Sequence, residues 1–192
     1  MCTYSITVEV DVSSLVDAVR RSESRLYVTP IWALATIVNR HDEFRMRLDE
    51  RGRAAVWSVL HPSFTVLHAE SESFSAAWTR YDSDCSTFHD RAALIADSHA
   101  KQQKPFADPT LPPNAFDVSS IPWISFTAFT LSIRDAWRHL APIFTIGRHG
   151  TRDDRVMMPL AVEAHHAAVD GFHVARFFNE LQDLCGHTDW VR

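Results

Sequence analysis

The 192-residue sequence contains only three cysteines and five glycines. Cys2, Cys85 and Cys185 are odd in number and widely spaced. This argues against a disulfide framework or a cysteine-based zinc cluster and favours a reducing compartment, the cytoplasm. The sequence has no apolar run of about 18 residues, so we expect no membrane span. Its first residues also lack the charged and apolar blocks of a signal peptide.

The chain also lacks any block of basic residues. Its 19 Lys and Arg are outnumbered by 24 Asp and Glu, which gives a net charge of −5. We therefore expect no nucleic acid partner, because proteins that bind nucleic acid concentrate positive charge on one face. The remaining composition, 46% hydrophobic and 22% charged, is that of a globular protein long enough to form one core.

Apolar periodicity indicates a single α/β domain with no internal repeat. Four helical regions are predicted. The first is capped by Ser13 or Ser14, the second begins near Pro30, the third covers most of 72–100, and the last begins at about Gly171. The last helix carries an apolar stripe that includes Phe172 and Ala175. Four prolines indicate a loop over 101–114. The predicted strands are 2–12, 44–48, 54–58, 63–69, 123–133, 143–147 and 156–165.

Two adjacent histidines near the C-terminus precede an acid and a glycine, in the run His165-His166-Ala167-Ala168-Val169-Asp170-Gly171. The run follows an apolar stretch, so the histidines are expected at the end of a strand, where a rigid scaffold can aim a side chain. Neighbours on a strand point to opposite faces, so at most one of them enters a given site. Such a histidine suits a general base that takes a proton from a hydroxyl.

From the residues alone, other interpretations of this run stay open. Asp170 before a helix can act only as a cap that bonds the first free amides. Two histidines and an aspartate can ligate zinc, although strand neighbours converge on one ion only where the chain bends. The chain has eleven histidines, so a chance pair is a further alternative.

The segment from His165 to Phe177 resembles the signature of the chloramphenicol acetyltransferase family almost residue for residue. The short histidine pattern is shared with other acyltransferases that use coenzyme A or carrier proteins, whereas the combination of matching segments is specific. The other segments that resemble the family, in the same order along the chain, are Phe44–Met46, Phe64–His68, Phe74–Ser75, Ser119–Phe126 and Ala141–Thr145. The resemblance implies a two-layer α/β sandwich, with a mixed sheet covered on one side by helices.

The resemblance implies acetyl-CoA-dependent O-acetylation of chloramphenicol, and hence antibiotic resistance, with no metal. It gives His166 the role of general base toward the acceptor hydroxyl. Ser119 is implied to stabilise the oxyanion, and Thr145 to assist through a water molecule. Asp170 is implied to maintain the geometry of the site by an ion pair with an arginine. The family is a homotrimer whose sites lie between subunits, and the same is implied here.

The resemblance also assigns binding positions. Residues at coenzyme A positions are Tyr27, Trp123 and Arg148. Residues at the mostly apolar acceptor positions are Cys2, Thr65, Phe74, Ala76, Phe106, Phe129, Leu131, Ile133 and Ile143. An apolar slot with few polar anchors suits an aromatic antibiotic. From the residues alone, each apolar position is also a candidate core residue, Ser119 a turn serine, Thr145 an ordinary strand threonine and Arg148 a solvated surface residue.

The resemblance begins at the family's first long strand. We therefore expect residues 1–192 to form one acetyltransferase domain that lacks the family's N-terminal helix segment and the arginine that pairs with Asp170. Arg20, Arg21 and Arg176 are candidates to replace that arginine. Reduced activity is one consequence of such a truncation. The alternative functions are an acyltransferase of the same superfamily with another acceptor, and a catalytically impaired remnant that still binds ligands.

Overall fold

The computed structural model describes residues 2–101, 108–132 and 139–191. A 3-10 turn, Asp42–Arg45, leads into β2. Within the described ranges, no helix is both long and apolar enough to cross a membrane. The strands and helices are, in order, β1 (Thr3–Asp11), α1 (Ser13–Arg20), α2 (Val28–Arg40), β2 (Met46–Leu48), β3 (Ala54–Val56), β4 (His61–His68), β5 (Ser73–Trp78), α3 (Cys85–Ala100), β6 (Ala115–Ile121), β7 (Ile143–Gly147), β8 (Gly150–Arg152), β9 (Arg155–His165) and α4 (Gly171–Gly186).

The described strands form one seven-stranded mixed sheet and a separate hairpin of β2 and β3. The order in the large sheet is β1-β9-β7-β6-β4-β5, with β8 paired to the start of β9. β6 is parallel to β4 and to β7, and the other ladders are antiparallel. Strand β9 pairs with β1 along the whole of β1, from Thr3 opposite His165 to Asp11 opposite Met157. The α/β class and the mixed sheet predicted from the sequence are confirmed.

The two faces of the sheet differ because side chains alternate along each strand. One face carries large apolar residues that pack against the helices, among them Val10, Phe64, Phe116, Phe144 and Leu160. Helix α2 is buried from Val28 to Val38, because it contacts both α3 and α4. The opposite face carries small and polar residues, among them Ser5, Thr7, Ser119 and Thr145. We call it the polar face.

Several of the predicted elements are wrong. The region 72–100 begins with β5, and the helix α3 begins only at Cys85, where the Asp84 side chain accepts from the amide of Thr87 at 2.8 Å. Strand β6 was not predicted, and residues 123–132 form no strand. Pairing with β4 and β7 decided the structure of β6, whereas side chains of the sheet hold residues 124–132; neither contact is visible in the local pattern.

Two helix details also differ from the prediction. Neither Ser13 nor Ser14 caps α1 with its side chain, because the Ser13 hydroxyl donates to the Asp11 carboxylate at 2.6 Å. Helix α4 begins at Gly171 as predicted, but Phe172 is 72% exposed and Ala175 also faces solvent. The buried side of α4 consists of Val174, Phe177, Phe178, Leu181 and Cys185.

After a turn at 122–123, residues 124–132 lie over the polar face outside the ladders. The amide of Arg148 donates to the carbonyl oxygen of Ile124 at 2.8 Å. The ring of Phe126 lies against Gly147, so a Cβ at position 147 would be 2.7 Å from both Phe126 Cε1 and Pro159 Cγ. Glycine at position 147 therefore permits the close approach of this segment to the sheet.

We predict that Gly147→Ala destabilises the fold by about 1–3 kcal/mol, because the added methyl displaces the Phe126 ring. Urea unfolding measures the change. Gly150→Ala is the matched control, since a Cβ there meets nothing within 4 Å. Equal stability of the two variants would contradict the predicted contact.

Candidate functional site

The turn that follows β9 carries His166, and strand β1 holds this turn in place. The amide of His166 donates to the carbonyl oxygen of Cys2 at 2.9 Å. The hydroxyl of Tyr4 donates to the carbonyl oxygen of Val169 at 2.9 Å. Cys2 lies just past the paired end of β9, and Tyr4 lies opposite Ala164 within the ladder, so both are close to the turn. His166 is therefore fixed through its backbone while its side chain remains accessible.

The His166 imidazole lies against the Asp170 carboxylate, with 2.9 Å between Nδ1 and Oδ1. The two side chains are 55% and 60% exposed. Burial and the nearby Asp170 carboxylate raise the pKa of Tyr4, whose ring lies 5.6 Å from the His166 ring. A carboxylate at Nδ1 favours the proton on that nitrogen and leaves the Nε2 lone pair free to accept another. This arrangement suits a general base.

The partner of Asp170 differs from the one that the resemblance implies. The carboxylate contacts His166, four residues earlier, and the Asp170 amide donates to His173 Nδ1 at 2.9 Å. The candidate arginines have other surroundings: Arg20 pairs with Asp17, Arg176 pairs with Glu43, and Arg21 lines a polar cavity beside Ser22. Sequence reasoning missed the contact because the chain turns sharply between β9 and α4.

The oxyanion candidates lie on the polar face of the sheet. Ser119 on β6 and Thr145 on β7 are opposite each other in the parallel ladder. Thr145 is 3% exposed, whereas Ser119 is half-buried and lines a cavity of about 900 Å³. Ser119 therefore has access to a ligand in that cavity, whereas Thr145, beside it on the next strand, is buried.

The large cavity brings together residues that the sequence analysis assigned to both substrates. Thr65 and Phe74, at acceptor positions, line it together with Tyr27 and Trp123, at coenzyme A positions. The Tyr27 hydroxyl donates to the carbonyl oxygen of Thr65, and burial raises the pKa of Tyr27 to about 12. Tyr27 thus remains a neutral hydrogen-bonding group in the cavity wall.

A smaller neighbouring cavity of about 190 Å³ contains the third coenzyme A position. Arg148 lines it, and Tyr27 and Pro122 line both cavities. The three coenzyme A positions therefore surround one region of the surface, near the ends of β6 and β7. A guanidinium at such a place can attract phosphate groups.

Four other predicted residues form a separate narrow crevice on the polar face. Its predicted lining residues are Phe129, Leu131, Ile143 and Thr145; the sequence analysis missed Ser5, Ala161 and Glu163. Among the remaining acceptor positions, Ala76 lies opposite Thr65 in the β4–β5 ladder. Phe106 and Ile133 lie outside the described residues. Within the described part of the chain, no group of three or more His, Cys, Asp or Glu residues could hold a metal ion.

Side chains of the sheet hold the segment that carries Phe129 and Leu131. The Ser5 hydroxyl donates to the carbonyl oxygen of Phe129 at 2.6 Å, and the Phe129 amide donates to Thr7 Oγ1 at 3.3 Å. The Leu131 amide donates to Glu163 Oε2 at 3.3 Å. These bonds replace a strand ladder. The polar alternation of β1 was readable in the sequence, but its partners were not.

We predict that Thr7→Val weakens the contact between this segment and the sheet, because the isosteric methyl cannot accept the Phe129 amide. A lost hydrogen bond of about 0.5–1.5 kcal/mol corresponds to amide exchange roughly 2- to 13-fold faster at Phe129. Hydrogen exchange read by NMR measures this, with Thr151→Val on β8 as the control. Unchanged exchange at Phe129 in Thr7→Val would rule out the contact.

One chain does not bring His166 and Ser119 together. His166 lies beside Tyr4 at the edge where helix α4 begins, whereas Ser119 is on the polar face. In the ladders Ser119 aligns through Thr145 with Ala161, four residues before His165. Spacings of about 3.3 Å per residue and about 4.8 Å per strand separate the Cα atoms of His165 and Ser119 by roughly 16 Å.

Known proteins resemble the chain over nearly its whole length. A sequence model described as chloramphenicol acetyltransferase matches residues 1–182. A chloramphenicol acetyltransferase of Streptomyces acrimycini is 55% identical over 190 residues, which cover 99% of this chain and 86% of that protein. One from Campylobacter coli is 42% identical over 183 residues, which cover 95% of this chain and 86% of the relative.

Solved structures agree on the fold. A chloramphenicol acetyltransferase structure matches with a TM-score of 0.85 at 23% identity, over 99% of this chain and 88% of that one. A dihydrolipoamide acetyltransferase of Azotobacter vinelandii matches with a TM-score of 0.72 at 20% identity, over 95% and 81%. At these identities the similarity of structure shows the fold alone.

Proposed function

Because the chain belongs to the chloramphenicol acetyltransferase family and is an acyltransferase, we propose that it transfers an acetyl group from acetyl-CoA to a hydroxyl of chloramphenicol. The observation that carries this proposal is the His166–Asp170 pair, held by β1 at the end of β9 with the imidazole accessible. Acetylation of the drug in the cytoplasm would confer resistance to it.

His166 acts as the general base in the proposed reaction. Nε2 accepts the proton of the acceptor hydroxyl as its oxygen attacks the thioester carbonyl carbon of acetyl-CoA. The Asp170 carboxylate at Nδ1 stabilises the imidazolium that forms. When the tetrahedral intermediate collapses, the carbon–sulfur bond breaks and the imidazolium returns its proton to the thiolate. The products are the acetyl ester and coenzyme A.

Ser119 stabilises the charge that develops on the carbonyl oxygen. Its hydroxyl is a single donor at the wall of the large cavity, and a donor placed where charge develops lowers the barrier directly. Thr145, opposite Ser119 in the ladder, assists through a water molecule, the role that the resemblance implies. Asp170 does not contact the substrate in this proposal and acts only through its contact with His166.

The cavities suit the two proposed substrates. The large cavity is mostly apolar where Phe74 and Trp123 line it, which matches an aromatic acceptor and the flexible arm of coenzyme A. Arg148 and Tyr27 in the neighbouring cavity suit the phosphate-bearing end. Phe129, Leu131 and Ile143, at acceptor positions, line a separate closed crevice on the polar face, and Cys2 lies on the His166 side.

A complete site requires two copies of the chain. The separation of His166 and Ser119 within one chain means that the base of one subunit must face the oxyanion donor of another. Exposed apolar residues around the large cavity, including Leu67, Phe74, Trp123 and Ile124, provide a surface for that contact. A ring of three copies joined head to tail closes such an arrangement, as the family resemblance implies.

We predict that His166→Ala lowers kcat by about 10²–10⁴, because it removes the group that takes the hydroxyl proton. Release of coenzyme A from acetyl-CoA, measured with and without chloramphenicol, gives the rate. Unchanged thermal unfolding is the control for folding. Normal turnover of His166→Ala would refute the assignment of the base.

We predict that Ser119→Ala lowers kcat on the order of 10²-fold and changes the KM for chloramphenicol little, because the donor acts mainly when charge develops. Ser58→Ala, at an exposed serine that lines neither cavity, is the control. A change in KM alone would make Ser119 a contact of bound substrate, and the oxyanion donor would have to lie elsewhere.

The two inactive variants together test whether the site is shared between subunits. His166→Ala and Ser119→Ala chains are co-expressed in equal amounts and assemble at random. About one quarter of the sites should be active, because a site works only where a chain with an intact His166 faces a chain with an intact Ser119. Mixed assemblies with no activity above the separate variants, although both chains are present, would place the two halves within one chain.

A further inference from the structure

We propose that His165, which the proposed mechanism does not use, is a positioning residue whose neutral imidazole holds the turn that presents His166. This rests on the proposed function, because the orientation of His166 matters through its role as base. The two histidines diverge as strand geometry requires: His166 is accessible, and His165 is 7% exposed.

Three consecutive amides of the turn converge on His165. The Ala167 amide donates to its Nδ1 at 3.1 Å. The Ala168 and Val169 amides donate to its carbonyl oxygen at 2.9 and 3.0 Å. The His165 carbonyl oxygen accepts two of these three amides, and the His165 side chain accepts the third, that of Ala167. These bonds close a loop that contains His166.

The bond to Ala167 requires one particular form of the ring. Nδ1 accepts only when it carries no proton, so the ring is neutral with its hydrogen on Nε2. Burial lowers the pKa of His165 and favours this form. Nε2 itself finds no hydrogen-bond partner within the described ranges, so the bond to the turn is the polar contact that the buried ring makes there.

A pair of substitutions separates this role from simple packing. In His165→Asn, Oδ1 occupies the place of Nδ1 and accepts the amide two residues on, as in an Asx turn. In His165→Leu, a methyl group of similar size occupies the same place and accepts nothing. The two variants thus differ chiefly in the acceptor.

Steady-state rates of acetyl transfer to chloramphenicol test the proposal. We expect His165→Asn to keep kcat within about threefold of the wild type, and His165→Leu to lose about tenfold or more, because small misplacements of a catalytic group are costly. Both should change KM little. His187→Leu, at the exposed end of α4, is the control for loss of a histidine.

Two measurements without substrate keep the test independent of the proposed function. Nitrogen NMR of labelled histidine, assigned by the signals missing in His165→Asn, should show His165 neutral with hydrogen on Nε2. Amide exchange at Ala167 should become faster in His165→Leu and remain slow in His165→Asn.

A His165→Leu variant with the kcat of the wild type would overturn the proposal. An equal loss of kcat in folded His165→Asn and His165→Leu would also overturn it, as would a hydrogen on Nδ1 of His165. A wild-type protein that does not acetylate chloramphenicol would instead refute the proposed function. In that case the NMR and exchange results still decide whether His165 holds the turn.

Discussion

The antiparallel ladder between β1 and β9 is the interaction on which the site depends. It runs the whole length of β1, and residues at its end, Cys2 and Tyr4, bond the turn that carries His166. The polar side of the same strand holds the segment with Phe129 through Ser5 and Thr7. One strand therefore fixes both the proposed base and part of the proposed acceptor pocket, on its two sides.

The alternation of side chains across the sheet explains why the site is divided. His166 lies beside α4, while Ser119 and Thr145 face the polar side, several residues away along the strands. Ladders hold Ser119 and Thr145, and a backbone bond to Cys2 holds His166 at the end of β9, so the two groups lie far apart within one chain. In the function that we propose, a second copy of the chain supplies the other half of the site, and for that reason catalysis and assembly are linked.

The exposed setting of His166 and the buried setting of His165 serve different purposes. An accessible imidazole with a carboxylate at one nitrogen can exchange protons with a substrate. A buried neutral imidazole is instead a fixed hydrogen-bond acceptor, comparable to His173, whose Nδ1 accepts the Asp170 amide. Histidine side chains thus bond the backbone at the start and near the end of the turn between β9 and α4.

The sequence by itself determined the elements with strong patterns: β1, β7, most of β9 and the start of α4, together with the His166–Asp170 run and the family. Their alternation or amphipathic spacing is local, so it is readable without the fold. Tertiary structure decided the rest. Strand β6 forms because it pairs with β4 and β7, and 123–132 stays outside the ladders because its partners are side chains of the polar face. The contact of Asp170 with His166, and the separation of His166 from Ser119, depend on the course of the chain between elements, which no local pattern encodes.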